Sequence, residues 1–386
     1  MDEKIELIAT ATFGLEAVVA REVQDLGYET EVENARVIFQ GDERAVCRSN
    51  LWLRSADRVL IRVGEFKALT FDELFEKTKA LPWADWLPEN ASFPVEGKSV
   101  KSKLFSISDC QAIVKKAIVE SMKKKYHRKW FDETGPLYTI EVSLLQDVAT
   151  LTIDTSGAGL HKRGYRKLST SAPLKETLAA AMINLSYWNS ERILFDPFCG
   201  SGTIPIEAAL IGLNAAPGLH REFAAESWLY LPQRFWSEAR QEAEDLIRRD
   251  LKLNIRGTDI DPKVMSIARY HAKLAGVNDY VSFQQMPVAD LRTKKKYGCL
   301  ICNPPYGERL EDVKEVEQLY RQMGVTFKPL DTWSLYVLTS YRNFERLFGR
   351  RADRRRKLYN GRIECQYYQF YGPRPPRRGS LTSIVY

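Results

Sequence analysis

Only four histidines and six cysteines in this 386-residue chain are available for a nitrogen- and sulfur-ligated metal site or a disulfide framework. The cysteines, Cys47, Cys110, Cys199, Cys299, Cys302 and Cys365, are scattered. Cys299-x-x-Cys302 has the spacing of half a zinc site, yet no second Cys/His pair stands at ligand spacing. No metal is therefore expected, and the two thiols are expected on one short buried strand. Scattered free thiols suit a cytoplasmic setting. No apolar run approaches the ~20 residues that span a bilayer, and Met1-Asp2-Glu3-Lys4 does not open a basic-then-apolar secretory leader.

What is present is 44% hydrophobic and 28% charged residues, an ordinary balance for a soluble globular chain of two or three domains. The net charge of +7 is by itself only compatible with nucleic acid. Its distribution says more. Lys123, Lys124, Lys125, Arg128 and Lys129 form one run ending at Trp130, and Arg354, Arg355, Arg356 and Lys357 form a second beside Tyr359. Arg374, Arg377 and Arg378 stand among prolines. Cations with aromatics beside them suit phosphate contact and base stacking, although a solvated helix face accounts for any single run.

Periodicity predicts strands at 5–11, 30–39 and 58–63 and helices at 15–26, 43–49 and 71–79. Residues 93–105 read as strand-like, and Ser108-x-x-Gln111 reads as a capping box opening a helix to about Lys125. Segments 138–144 and 148–154 alternate around Gln146-Asp147 as a hairpin. The small residues of 155–159, with His161-Lys162-Arg163-Gly164-Tyr165-Arg166 after them, mark a domain boundary within 155–170. Beyond it come helices at 172–185, 204–213, 238–253 and 262–274. Strands are expected at 193–196, 255–258, 281–284, 298–302 and 333–339. Alternation of this length predicts a doubly wound, mainly parallel sheet, and Asn360-Gly361 predicts an antiparallel hairpin near the C-terminal end.

Two stretches carry chemistry. In Asp196-Pro197-Phe198-Cys199-Gly200-Ser201-Gly202-Thr203 a strand meets a helix. The glycines permit a tight turn and close backbone approach, and the helix N-terminus favours a carboxylate. Asp196 can pair with an ammonium group, so an amino-acid ligand fits, as in the methionine part of S-adenosylmethionine. Pro205 stands where a dinucleotide fingerprint needs its third glycine, which counts against NAD. Asp259 closes a later strand, where it can accept ribose hydroxyls. Ile260 can lie against adenine, Asp290 can reach the adenine amine, and Asp261-Pro262 reads as a helix cap. The gap from Gly202 to Asp259 implies that 214–249 is an insertion.

The second stretch is Asn303-Pro304-Pro305-Tyr306, after an apolar strand. A base amine is a weak nucleophile because its lone pair is delocalised into the ring. The side-chain oxygen of Asn303 and the carbonyl of Pro304 can accept its N–H bonds, the prolines stiffen the turn, and Tyr306 offers a ring to an extruded base.

This ordered set resembles class I methyltransferases acting on amino groups. Residues 160–386 look like the catalytic domain of THUMP-domain RNA guanine-N2-methyltransferases, on the motif 161–166, on Ala172-Pro173-Leu174-Lys175-Glu176-Thr177-Leu178-Ala179 and on the glycine loop. The likeness is to the N-terminal half of RlmL and its stand-alone Firmicute-type relatives, labelled both 23S rRNA guanine-N2-methyltransferase and N6-adenine-specific DNA methylase. It implies a ferredoxin-like subdomain at 1–65, an RNA-binding THUMP domain at 66–158 and a class I Rossmann-like methyltransferase domain at 159–386. It also implies 23S rRNA or a large-subunit precursor as partner, with Pro173 and Leu174 walling the cofactor pocket and Arg163 and Arg166 joining the RNA-binding cations. RlmL itself carries a second methyltransferase domain with no counterpart in this sequence, so only the guanine-N2 activity carries over. A DNA N6-adenine methyltransferase, a protein glutamine methyltransferase and a non-catalytic RNA-binding protein are the competing readings.

Overall fold

Alternating side chains set the first sheet. In the computed structural model, which describes residues 4–168, 174–307 and 313–376, β1 (Ile5–Ala11) sends Leu7 and Ala9 into the main core and Ile8 to the opposite face, against Ile38 and Leu60. There follow α1 (Glu16–Asp25), β2 (Thr30–Glu33), β3 (Arg36–Gly41), α2 (Glu43–Trp52), β4 (Ala56–Lys67), α3 (Phe71–Lys79), α4 (Trp83–Trp86), β5 (Val95–Val100), α5 (Ile107–Tyr126), β6 (Ile140–Leu145) and β7 (Val148–Asp154). Asp42 and Thr70 cap α2 and α3 by accepting the N–H groups of Ala45 and Glu73, at 2.9 and 3.1 Å. The strands form one seven-stranded sheet, β2-β3-β1-β4-β7-β6-β5. The twelve-residue β4 runs through the position expected to divide a subdomain at 1–65 from one at 66–158.

The chain continues through α6 (Glu176–Asn184), β8 (Leu194–Asp196) and α7 (Thr203–Gly212), and then α8 (Gln233–Asp245). Next come β9 (Ile255–Asp259), α9 (Pro262–Leu274), β10 (Val281–Gln285), β11 (Cys299–Cys302), α10 (Val313–Phe327), β12 (Ser334–Thr339), α11 (Phe344–Phe348), β13 (Arg354–Asn360) and β14 (Ile363–Phe370). The second sheet has the order β10-β9-β8-β11-β12-β14-β13, parallel from β10 to β12 and antiparallel in its last two pairings.

The chain divides into two units. One takes Met1–Lys162 and Ala216–Asp245, the other Arg163–Ala215 and Leu246–Tyr386. Most of the segment 214–249, expected as an insertion, groups with the first unit. Trp228 stacks on Tyr138 with ring centroids 4.4 Å apart, Trp236 stacks on Phe223 at 5.3 Å, and Arg48 grips Glu242 with two 2.9 Å bonds.

Several expected elements differ. The single strand at 30–39 is a hairpin, broken where Ala35 takes φ +59°. Helix α5 begins after Ser106, whose side chain makes no capping bond, so the box at Ser108 is not formed. The helix expected at 238–253 is α8, which ends at Asp245. Helices α10 and α11 were not anticipated. In the last hairpin Asn360 pairs with Ile363, leaving Gly361 (φ +63°) and Arg362 as the two-residue loop.

Candidate active site

The order of the second sheet reverses beside β8: the chain passes from β8 to β9 and β10 on one side, then returns to β11 on the other. Crevices at the carboxyl ends of strands about such a point are where doubly wound sheets bind ligands. Asp196 ends β8, Asp259 ends β9 and Asn303 follows β11. The three anticipated carboxylate and amide positions thus stand at the ends of adjacent strands.

The glycine loop is held by its own backbone and by two carboxylates. Asp196 is buried and accepts the Phe198 N–H at 3.0 Å. Burial, with the Asp259 charge adding to it, pushes its carboxyl well above the ordinary range. The Cys199 N–H reaches the Thr258 carbonyl at 2.9 Å, and Gly202 N–H closes on Cys199 at 2.8 Å. Asp259 accepts Gly200 N–H on one oxygen at 3.0 Å and Asp261 N–H on the other at 3.1 Å. Each oxygen keeps a lone pair for a further donor. Gly200 (φ +49°) has open space where a side chain would project, whereas a Cβ on Gly202 (φ +88°) would lie 3.0 Å from Phe283. Ile260, 68% exposed, presents an apolar surface beside Asp259. A buried carboxylate, an open glycine, a helix N-terminus without a side-chain cap and a bare apolar residue together fit an amino acid joined to a nucleoside.

The other anticipated residues of this half stand as follows. Thr203 is buried, with its hydroxyl taken by Arg166 at 2.6 Å, and the Cys199 side chain is buried with its thiol pushed upward in pKa by burial. Pro197 is buried beside it. Leu174 is buried and gives its carbonyl to Arg166 at 2.8 Å. Pro173 lies outside the described residues. Asp290 is exposed at the end of a 3₁₀ turn, Val288–Asp290, and Asp261 caps α9 through Lys263 N–H at 2.8 Å.

The acceptor turn is braced by tyrosines. The Tyr306 hydroxyl donates to the Asn303 side-chain oxygen, the atom expected to receive a substrate amine. The Tyr320 hydroxyl, on α10, donates to the Pro305 carbonyl at 2.6 Å and lies 2.8 Å from the Thr339 hydroxyl, which in turn accepts Tyr341 N–H at 3.0 Å. With one proton on each hydroxyl, the chain runs from Tyr341 through Thr339 and Tyr320 to Pro305. Burial raises the pKa of both Tyr306 and Tyr320, keeping them protonated donors. Pro304 is buried and Pro305 exposed. Tyr320 and Thr339 were missed in the sequence, although Val316, Tyr320, Met323 and Phe327 carry helical spacing. Cys299 and Cys302 are both buried on β11, and three residues apart on a strand they face opposite sides.

Arg163 and Arg166 overturn their expected role. The Arg163 side chain is 2% exposed and pairs at 3.5 Å with Glu207, which also accepts the Tyr165 hydroxyl at 3.0 Å. Arg166 pairs with Glu176 at 3.3 Å, whose carboxyl burial pushes up to about 7. Both arginines brace the segment at 163–166 against α6 and α7 and are withheld from a surface polyanion; buried cations require such partners. The other runs lie mostly at the surface, with Lys123 and Arg356 half-buried. Lys123 pairs with Glu120 at 2.7 Å, Lys125 stands 3.9 Å from Asp85 and Arg128 pairs with Glu89. Lys124 and Lys129 are exposed, and Trp130 beside them is 78% exposed. Arg354, Arg355 and Arg356 lie on the edge strand β13, with Arg355 bonded to Glu345 at 3.0 Å.

A seven-stranded sheet of this order, with carboxylates and an Asn-Pro-Pro-Tyr turn at its switch point, defines a class I methyltransferase domain. The model described as RMKL-like, methyltransferase domain, matches residues 163–369, the RlmL ferredoxin-like domain matches 6–60 and the THUMP domain matches 68–154. The chain belongs to this family of ferredoxin-like and THUMP-containing methyltransferases, whose methyl donor is S-adenosylmethionine. It is 54% identical over 378 residues to a Bacillus subtilis (strain 168) protein named "Putative RNA methyltransferase YpsC", covering 97% of this chain and 98% of that one. Among solved structures it is similar to "a predicted N6-adenine-specific DNA methylase from Listeria monocytogenes", with 58% identity, TM-score 0.92 and coverage of 96% and 97%. It is also similar to SMU.472, "a putative methyltransferase complexed with SAH", with 49% identity, TM-score 0.92 and coverage of 97% and 100%.

Proposed function

We propose that the chain methylates the exocyclic N2 amine of a guanine in 23S rRNA, taken as the RNA or as a large-subunit precursor. The observation that carries the reading is the Asn303 side-chain oxygen at the end of β11, neighbouring β8 and its glycine loop, in a chain that also holds a THUMP domain. The name of the Bacillus relative supports RNA as the acceptor.

S-adenosylmethionine, when bound, supplies a methyl group made electrophilic by its sulfonium. The chain's own residues position and exclude. Asp196 pairs with a cationic group, the free N–H groups at the start of α7 face a carboxylate, and Asp259 and Ile260 hold the sugar hydroxyls and a ring face. On the acceptor side the base amine replaces the Tyr306 hydroxyl as donor to Asn303, and the Pro304 carbonyl takes the second N–H. Tyr306, released, offers its ring. The N2–methyl bond forms as the sulfur–methyl bond breaks, the sulfur leaving as a neutral thioether, and the displaced N2 proton is lost to water; orientation and fixed acceptors carry the step without a titratable base. Lys123, Lys124, Lys125, Arg128 and Lys129 with Trp130, and Arg354, Arg355 and Arg356, supply phosphate and stacking contacts.

The test is to incubate the protein with a labelled methyl donor and large-subunit rRNA from a strain lacking it, then digest the RNA and resolve its nucleosides by mass spectrometry. Label in N2-methylguanosine is expected. Label in N6-methyladenosine, or preferential labelling of duplex DNA, overturns the reading.

A further inference from the structure

The two faces of the second sheet are covered unequally. The connection from β8 to β9 carries α7, that from β9 to β10 carries α9, and that from β11 to β12 carries α10, helices of 10, 13 and 15 residues. The connection from β10 to β11 carries only the three-residue 3₁₀ turn. On the face where α10 packs over β11 and β12, the strands β8, β9 and β10 border a cavity of about 450 Å³. None of Asp196, Gly200, Asp259 or Asn303 lines it. Its apolar lining includes Phe195, Met286, Leu300 and Trp333. Its exposed rim carries Arg256, Arg292 and Lys295, and among the described residues no acidic one lines it. Thr258 also lines it; its hydroxyl is buried and has no hydrogen-bond partner among the described residues.

We infer that this cavity seats one nucleotide of the RNA substrate, away from the one being methylated. A flat ring matches the apolar lining, a phosphate matches three rim cations with no acid among the described lining residues, and a buried hydroxyl without a partner among the described residues stands ready for a base edge or a ribose. The volume lies in the range of small-ligand sites, roughly 300–1,000 Å³. The missing helix is then a specificity feature: the sheet face that a crossover helix would cover is left for RNA. The inference rests on the reading of the chain as an RNA methyltransferase and assigns it a second point of contact.

Two kinds of variant test it, with unmodified 23S rRNA transcript as the probe. Ser282→Trp places a large side chain at the cavity wall without changing charge, from an exposed position on β10. Arg256→Glu with Lys295→Glu reverses two exposed rim charges. Each should weaken transcript binding by roughly a factor of ten, the loss of one stacked nucleotide. KM for RNA should rise, kcat at saturating RNA should stay, and donor affinity by calorimetry should be unchanged. A transcript carrying 4-thiouridine should crosslink to the peptide holding residues 291–296. Unaltered transcript affinity in both variants, with the unmutated protein active, overturns the inference and leaves the methyltransferase reading standing. Binding of AMP or GMP that Ser282→Trp abolishes while transcript affinity holds also overturns it, by assigning the cavity to a free nucleotide. An unmutated protein that neither binds nor methylates RNA removes both readings.

Discussion

The two halves of the site are stiffened by different means. The glycine loop is a main-chain structure: the N–H groups of Phe198, Cys199, Gly200 and Gly202 end on carbonyls or on the carboxylates of Asp196 and Asp259, and Gly200 leaves room above it. The Asn-Pro-Pro-Tyr turn, which lacks two N–H groups, is held by the hydroxyls of Tyr306 and Tyr320. This second half keeps its working atom occupied by an internal donor, which a substrate must displace.

Five measurements sharpen or break that contrast. The largest effect is expected from Asn303→Ala. Removing one preorganised polar contact costs about 10²–10³ in kcat, while donor affinity by calorimetry should hold; intact turnover would remove Asn303 from the chemistry. Asp259→Ala should cost about 1–3 kcal/mol of donor binding or folding, because it strands two backbone N–H groups and any sugar hydroxyl; unchanged affinity and unfolding midpoint would refute its clamp role. Tyr320→Phe deletes the bond to Pro305 and the link to the Thr339 hydroxyl, each worth about 1 kcal/mol, and should lower kcat several-fold without moving donor affinity. If kcat is unmoved, the tyrosine brace is packing alone. Asp196 predicts a pH dependence. Its carboxyl is neutral over a wider range than usual and must ionise to pair with a cation, so donor affinity should rise as pH climbs through its raised pKa. Asp196→Asn should flatten that profile, and an identical slope would place the proton elsewhere. The smallest effect belongs to the arginines of β13. Replacing Arg354, Arg355 and Arg356 with glutamine should weaken RNA binding modestly and flatten its salt dependence by somewhat less than three phosphate contacts, since Arg355 already serves Glu345. An unaltered salt slope would leave them as charges that keep an edge strand from pairing.

Much of this was legible. Strands 5–11 and 148–154 and helices 71–79 and 262–274 coincide with the folded elements, because period and caps coincide there. The order of Asp196, Asp259 and Asn303 along a doubly wound pattern was enough to set them on neighbouring strands. What could not be read is which way a charged side chain faces. His161-Lys162-Arg163-Gly164-Tyr165-Arg166 looks in sequence like any basic run. Two of its cations are drawn off the surface because Glu207 on α7 and Glu176 on α6 meet them. Local pattern carries no information about such pairs, nor about the Tyr320 hydroxyl reaching back to Pro305. The break at Ala35 likewise depends on one residue's unusual φ, for which alanine gives no warning.

The return of residues 216–245 to the first unit has a consequence for how the protein is made. During translation the aromatic partners of Tyr138 and the α2 face, Trp228, Trp236 and α8, leave the ribosome only after β8 and α7 have done so. The amino-terminal half therefore cannot finish before the carboxyl-terminal half has begun, and maturation of the two is interleaved rather than sequential. A gene fragment stopped at codon 162 would display the seat of a missing tryptophan as sticky apolar surface, so dissecting this protein requires splicing two segments together, not one cut.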